Sequence, residues 1–242
     1  MIERVVLTFG LATVLCASLG CSKPSGGDVP NDVIEIIHAI DMGDEARLRT
    51  LLENGAIPTP AASPLSPIHA AITHFSDGKL VCDTKTIRLL LDHGANPNFI
   101  DRDSGFAPLE EALSMGEMEC ITLLRTAGAS IDTHGESGQS LMQFAVKGVE
   151  RSGDKALLQL VMSWGVSVNV RGRTFTALHE AAWINTPQIA EYVVAELLRL
   201  GADPCIDSDG QTPLDIAISL KRPANVQFQL RSAMTACPKR AQ

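Results

Sequence analysis

The side chains best suited to chemistry in this 242-residue chain are two histidines, His69 and His179, and the four cysteines beyond residue 30: Cys82, Cys120, Cys205 and Cys237. Imidazole is the commonest general base near neutral pH and a frequent metal ligand. His74 and Cys82, with Asp77 or Asp83, could approach a metal, but the close paired spacing of zinc sites is absent. Asp101, Asp103, Glu110, Glu111, Asp207 and Asp209 fall on predicted loops and helix starts. There carboxylates serve as turn formers, caps and solvated charge. No glycine-rich phosphate loop follows a strand, and there is no nucleophile elbow. The reading is a non-enzyme, with no catalytic residue, no cofactor and no metal.

Composition narrows the scaffold that holds these residues. Hydrophobic residues make up 45% of the chain but aromatics only 4%. That is poor material for a sandwich or barrel and good material for a helical core of Leu, Ile, Val and Ala. A net charge of -8 argues against nucleic acid, because neutralising phosphates needs a surplus of Lys and Arg.

An internal repeat organises most of the chain. Glycine followed by a small or apolar residue recurs at Gly55-Ala56, Gly94-Ala95, Gly128-Ala129, Gly165-Val166 and Gly201-Ala202, each time ending a leucine-rich run. Glycine just past such a run predicts a helix C-cap. In step with it run six apolar triplets: Ile36/Ala39/Ile40, Ile68/Ala71/Ile72, Leu109/Ala112/Leu113, Met142/Ala145/Val146, Leu178/Ala181/Ala182 and Leu214/Ala217/Ile218. Positions i, i+3 and i+4 share one helix face, and the central alanine lets a neighbouring helix approach closely. One unit is then a short helix, a tight connection, a second helix, a glycine cap and an extended loop. A single unit cannot bury both helices, so the units must stack.

Thr212-Pro213-Leu214-Asp215, Thr176-Ala177-Leu178-His179 and Ser66-Pro67-Ile68-His69 resemble the turn signature of ankyrin repeats. Ala107-Pro108-Leu109-Glu110 and Ser140-Leu141-Met142-Gln143 read as eroded copies. Gly94-Ala95-Asn96-Pro97-Asn98 and Gly201-Ala202-Asp203-Pro204 are similar to the loop after that family's second helix. The resemblance implies an all-α solenoid of about six helix-turn-helix units over residues 31–236, both caps included, with 237–242 as a C-terminal tail. It makes Ser66, His69, Thr176, His179 and Thr212 turn-holding residues, the histidine rings bonding the local serine or threonine and the backbone. Extra length relative to the family falls in Phe75 to Cys82, around Val149 to Asp154, and near Tyr192.

Register within such a stack puts Cys205 and Cys237 in corresponding places one unit apart. They are expected to pair, leaving Cys82 to pair with Cys120 by elimination; four free thiols are the alternative. The resemblance also implies a concave surface of loops and first helices that binds a protein. Its variable places carry Thr73, His74, Glu111, Met115, Phe144, Lys147, Trp183 and Ile184, with Phe175 at the preceding loop tip. Apolar side chains there are either partner anchors or space fillers against a neighbouring helix, and Trp183 is the sharpest case.

The first residues follow a different logic. A charged start leads into an apolar run from Val5 to Leu19, about the length of a signal-peptide core and short for a membrane span. Ala17-Ser18-Leu19-Gly20-Cys21 resembles a bacterial lipobox, with Ser18 where leucine is usual. This implies a signal peptide over 1–20, a lipid on Cys21 and a flexible tether over 21–30; plain cleavage or an uncleaved anchor are the alternatives. The expected location is the periplasmic side of a bacterial membrane, the outer one if Ser22 acts as a sorting residue. The expected protein is a monomer whose partners are envelope proteins, acting as scaffold or accessory factor. The other reading is an immunity protein that neutralises a toxic secreted effector such as a lipase.

Overall fold

The computed structural model describes residues 29–59, 63–76, 78–132, 138–172 and 175–237. The expected signal segment, Cys21 and most of the expected C-terminal tail therefore lie outside the described residues. Among the described residues twelve α-helices form six packed pairs: α1 (Asn31–Asp41) with α2 (Glu45–Glu53), α3 (Pro67–Ile72) with α4 (Thr84–Asp92), and α5 (Pro108–Met115) with α6 (Met118–Thr126). The row continues with α7 (Leu141–Ser152) and α8 (Ala156–Ser163), α9 (Ala177–Trp183) and α10 (Pro187–Arg199), and α11 (Pro213–Ser219) and α12 (Ala224–Ala233). A 3-10 turn over Met234–Ala236 follows. The first helices pack side by side in chain order, α1 on α3, α3 on α5, and so on to α11. The fold is a single row of helix pairs.

The triplets build the core. All six central alanines, Ala39, Ala71, Ala112, Ala145, Ala181 and Ala217, are buried, as are their apolar neighbours in the first five units. The tightest approach lies between α5 and α7. A methyl group placed on Gly148 would sit 2.1 Å from the Leu113 carbonyl oxygen, so the α7 backbone crosses α5 where only glycine fits.

Caps explain where the helices stop and start. After α2, α4, α6 and α10 the residue following the glycine donates its N–H to a carbonyl five residues back (Ala56 to Leu51, Ala95 to Leu90, Ala129 to Leu124, Ala202 to Leu197). This is the Schellman arrangement, and it requires the left-handed conformation seen at Gly55, Gly94, Gly128 and Gly201. It also accounts for the alanine after the glycine, which tucks against the core at Ala95, Ala129 and Ala202. Asn98 and Asn169 tie successive caps together. Each donates to the glycine carbonyl of the next unit (Gly128 and Gly201) and accepts from an N–H two residues beyond it, on Ser130 and Asp203.

The added length has two fates. In the second unit it forms a β-hairpin, β1 (His74–Ser76) antiparallel to β2 (Lys79–Val81), with Phe75 opposite Leu80. The expectation was an insertion without strands, although the letters Asp-Gly at 77–78 are a strong hairpin signal in the sequence. In the fourth and fifth units it lengthens α7 to 12 residues and α10 to 13. Disulfides join Cys82 to Cys120, with Cα atoms 6.5 Å apart, and Cys205 to Cys237 at 5.6 Å. The first pins the foot of the hairpin to α6; the second fastens the loop between α10 and α11 to Cys237, just past the 3-10 turn.

Candidate functional site: the concave flank

The first turn of each inner helix sets this flank, and one device recurs there. The third helical residue reaches back to the backbone N–H of the N-cap: Glu110 Oε2 to Ala107 at 2.8 Å, Gln143 Oε1 to Ser140 at 2.9 Å and Asp215 Oδ2 to Thr212 at 2.8 Å. The eroded copies keep the acceptor and lose only the lettering. In α9 the acceptor is His179 Nδ1, 3.2 Å from the Thr176 nitrogen and 2.7 Å from its Oγ1. The remaining ring nitrogen, Nε2, then donates to the Gln211 carbonyl at 3.2 Å and locks the next loop. Burial holds the His179 pKa below the usual imidazole value, so the ring serves this lock as the neutral form.

His69 departs from the expected role. Asp101 Oδ2 takes the Ser66 N–H at 2.9 Å, the bond that a ring nitrogen makes in α9. Neither His69 ring nitrogen has a hydrogen-bond partner of good geometry, although the ring lies near Asp101 and the Phe106 carbonyl. Burial lowers the His69 pKa, and Asp101 only partly opposes it. The carboxylate is the stronger acceptor for a backbone N–H and displaces the imidazole. His69 is a buried filler.

Three expected anchors are part of the core. Phe144 is 0% exposed, Ile184 1% and Met115 4%. Met115 and Ile184 sit at the ends of α5 and α9, where the chain turns into the second helix, and this puts them inside the helix pair. Phe144 is roofed by Phe106, edge to face at 5.2 Å between ring centres, and by the Lys147 ammonium 5.6 Å from its ring. Thr73 ends α3, its hydroxyl donating to the His69 carbonyl at 2.9 Å, and His74 opens β1 with a buried, unbonded Nδ1.

What faces outward is narrower. Trp183 and Phe175 are both half-buried and meet edge to face at 4.6 Å. Beside them Lys147 Nζ bonds Gln139 Oε1 at 2.9 Å and lies 3.9 Å from Glu180. Burial pushes the Glu180 carboxyl above the usual range, with Lys147 opposing, and does the same to Glu111, with Arg151 opposing. Arg222 fixes the end of α9 from behind, its guanidinium donating to the carbonyls of Ala182 and Trp183 and to Asn185 Oδ1. Sequence reasoning missed Phe106 and Arg222. Phe106 carried a signal, since it precedes the turn residue Ala107 as Phe175 precedes Thr176.

The chemistry-bearing residues are not gathered. Cys82 spends its sulfur in a disulfide, and Asp83 caps α4 by accepting the N–H groups of Lys85 and Thr86. Among the described residues no group of three or more His, Cys, Asp or Glu side chains could hold a metal. No described helix is long and apolar enough to cross a membrane. An open groove of about 440 Å³ runs between α4 and α6, lined by Thr84, Arg88, Glu119 and Thr122 among others. It belongs to the outer helices and shares no residue with the flank above.

Comparison with known proteins fits this geometry. The crystal structure of the human ASB11 ankyrin repeat domain superposes with a TM-score of 0.64 over 82% of this chain and 81% of that one, at 22% identity. This chain has the ankyrin-repeat fold. Residues 65–102 also match the ankyrin-repeat family model by sequence alone. Among curated relatives, the chain is 36% identical over 100 residues to ankyrin repeat domain-containing protein 37 of Bos taurus and 25% identical over 120 residues to protein VAPYRIN-LIKE of Medicago truncatula. It spans 58% of the length of the first and 25% of the second, so the likeness is one of ankyrin units, not of whole proteins. The ankyrin register also explains why the matched segment is 65–102: it holds the Ser-Pro-Ile-His turn and the Gly-Ala-Asn-Pro-Asn loop together.

Proposed function

We propose that this ankyrin stack is a non-enzymatic module that captures a protein partner on its concave flank, outside the cytoplasm and tethered to a membrane by lipid on Cys21. One observation carries the binding site: the half-buried Phe175–Trp183 pair, with Lys147 and Glu180 beside it, on a flank where Met115, Phe144 and Ile184 are sealed in the core. A rigid aromatic pair offers large contact area at small entropic cost, and a polar rim sets orientation. Trp183→Ala is expected to weaken capture of the partner by roughly 2 kcal/mol or more, in the range of a hot-spot aromatic. The melting temperature should fall only modestly, since the indole packs on the core from outside and is not sealed within it. A large melting shift with unchanged binding would make Trp183 a packing residue. The partner is identified by crosslinking in cells from a photoreactive residue placed at position 183.

Export and tethering rest on the apolar run before Cys21 and on two disulfides, which persist in oxidising compartments. Cys21→Ala is expected to move the protein from the membrane to the soluble fraction and to alter its processing. Fractionation that does not change would remove the lipid tether. The surface is also pre-formed, because α7 and α9, which carry Lys147, Glu180 and Trp183, pack directly on each other. That favours, within this reading, an inhibitor of one toxic exported enzyme, a lipase for example, over a scaffold for several envelope proteins. A single crosslinked enzyme whose activity falls on binding would support the inhibitor.

A further inference from the structure

The C-terminal end of the stack is built like an interior interface and left open. In the first five units the third residue of each triplet (Ile40, Ile72, Leu113, Val146, Ala182) is at most 3% exposed, because the following inner helix covers it. The sixth, Ile218, is 46% exposed. Leu220 holds the place of the buried Met115 and Ile184 and is also exposed, and Phe228 on α12 is 70% exposed. A terminal unit that only ends a solenoid carries a polar outer face. This one leaves Ile218 exposed at the place that a following inner helix would cover, and Leu220 and Phe228 are exposed with it.

Charge selects the unit that it receives. Residues 213–237 hold one carboxylate, Asp215, against Lys221, Arg222 and Arg231. The opposite end is the reverse: residues 31–59 hold Asp32, Glu35, Asp41, Asp44, Glu45 and Glu53 against Arg47 and Arg49. All eight of those charged residues are exposed. Ile34 is exposed among them, two residues from Ile36 and thus on the opposite side of α1 from the buried triplet.

We propose that the apolar C-terminal face, Ile218, Leu220 and Phe228, takes the acidic first helix pair of a second copy of this chain, so that copies stack head to tail. The contact is heterologous, joining two different surfaces, and therefore extends to short open rows instead of closing at a dimer. It leaves the concave flank free and stands whether or not the proposed partner site does. It replaces the expected monomer with a concentration-dependent row.

Sedimentation of the purified full chain in mild detergent tests this between roughly 1 and 200 μM, a span suited to weak interfaces. The weight-average protein mass is expected to rise past twice the 25.8 kDa of one chain, and to fall back as salt is raised and the two ends are screened from each other. Phe228→Glu blocks only the C-terminal face and Ile34→Glu only the N-terminal one. Each alone should stay monomeric, and their mixture should form a one-to-one pair and nothing larger. Both residues are solvent-exposed, and unchanged circular dichroism certifies the fold; Ile218→Gln serves as a second block of the same face. A wild type that stays monomeric throughout overturns the proposal. So does an Ile34→Glu chain that still dimerises, since two C-terminal faces would then be meeting each other, and so does a mixture that never pairs.

Discussion

Reducing both disulfides is expected to lower the free energy of unfolding by roughly 4 to 8 kcal/mol, at 2 to 4 for each bond. The cysteines in each pair are 38 and 32 residues apart, so each bond closes about one ankyrin unit and removes that much freedom from the unfolded chain. The loss is a large share of the 5 to 15 kcal/mol typical of a folded domain. It should also be uneven. Units in a stack are stabilised by their neighbours, and the sixth has only one. Freed from Cys205, the segment through Met234–Ala236 loses its covalent hold, and α12 keeps only Val226 and Leu230 in the core. Cys205→Ser with Cys237→Ser should therefore speed amide exchange in α11 and α12 first, while α5 and α7 remain protected. Cys82→Ser with Cys120→Ser should instead loosen the hairpin against α6 in the middle of the row. Urea unfolding with and without reductant measures the sum. A midpoint that does not move would mean that the thiols are free in the folded protein.

Most of the scaffold was legible because its signals are local. A triplet at i, i+3 and i+4 needs only helical geometry to mean one buried face, and glycine after a leucine run needs only the left-handed cap. Both were spelled out in every unit that has them. The flank was less legible because a helix position tells which way a side chain leaves the backbone, not what covers it. Phe144 leaves α7 toward the flank and is then roofed by Phe106, which belongs to a loop 38 residues earlier. The roof is a tertiary fact. The same holds for His69, whose expected bond to Ser66 was taken by Asp101 from the next loop, 35 residues beyond that serine. His179 met no such competitor, and its ring does what the turn signature implies. Length alone marked the insertion after α3, yet the Asp-Gly letters at 77–78 between Phe75 and Leu80, which face each other in the hairpin, were readable as a hairpin signal in the sequence.

Gly148→Ala is expected to destabilise the protein by about 1 to 2 kcal/mol, against the sign that helix propensity alone would give. Alanine is worth up to about 1 kcal/mol over glycine inside a helix, and residue 148 lies in the interior of α7, so an uncrowded site would gain from the change. Here the new methyl would lie 2.1 Å from the Leu113 carbonyl oxygen, 3.0 Å from Leu157 Cδ1 and 3.2 Å from the Gly116 Cα. Two of those three atoms are backbone and cannot swing away. Forcing extra volume into a packed crossing costs about 1 to 3 kcal/mol and sometimes more, which outweighs the propensity gain. The strain would spread along the row, because α5 and α7 each carry the neighbouring inner helix on their other side. Lys147 and Phe144, one and four residues before Gly148, should then shift against Gln139 and Phe106, so partner capture is expected to weaken along with stability. Thermal unfolding of Gly148→Ala and Gly148→Ser reads the sign directly. A rise in melting temperature for the alanine variant would mean that the two helices do not cross at this distance, and the close stacking inferred from the buried alanines would fail at its tightest point.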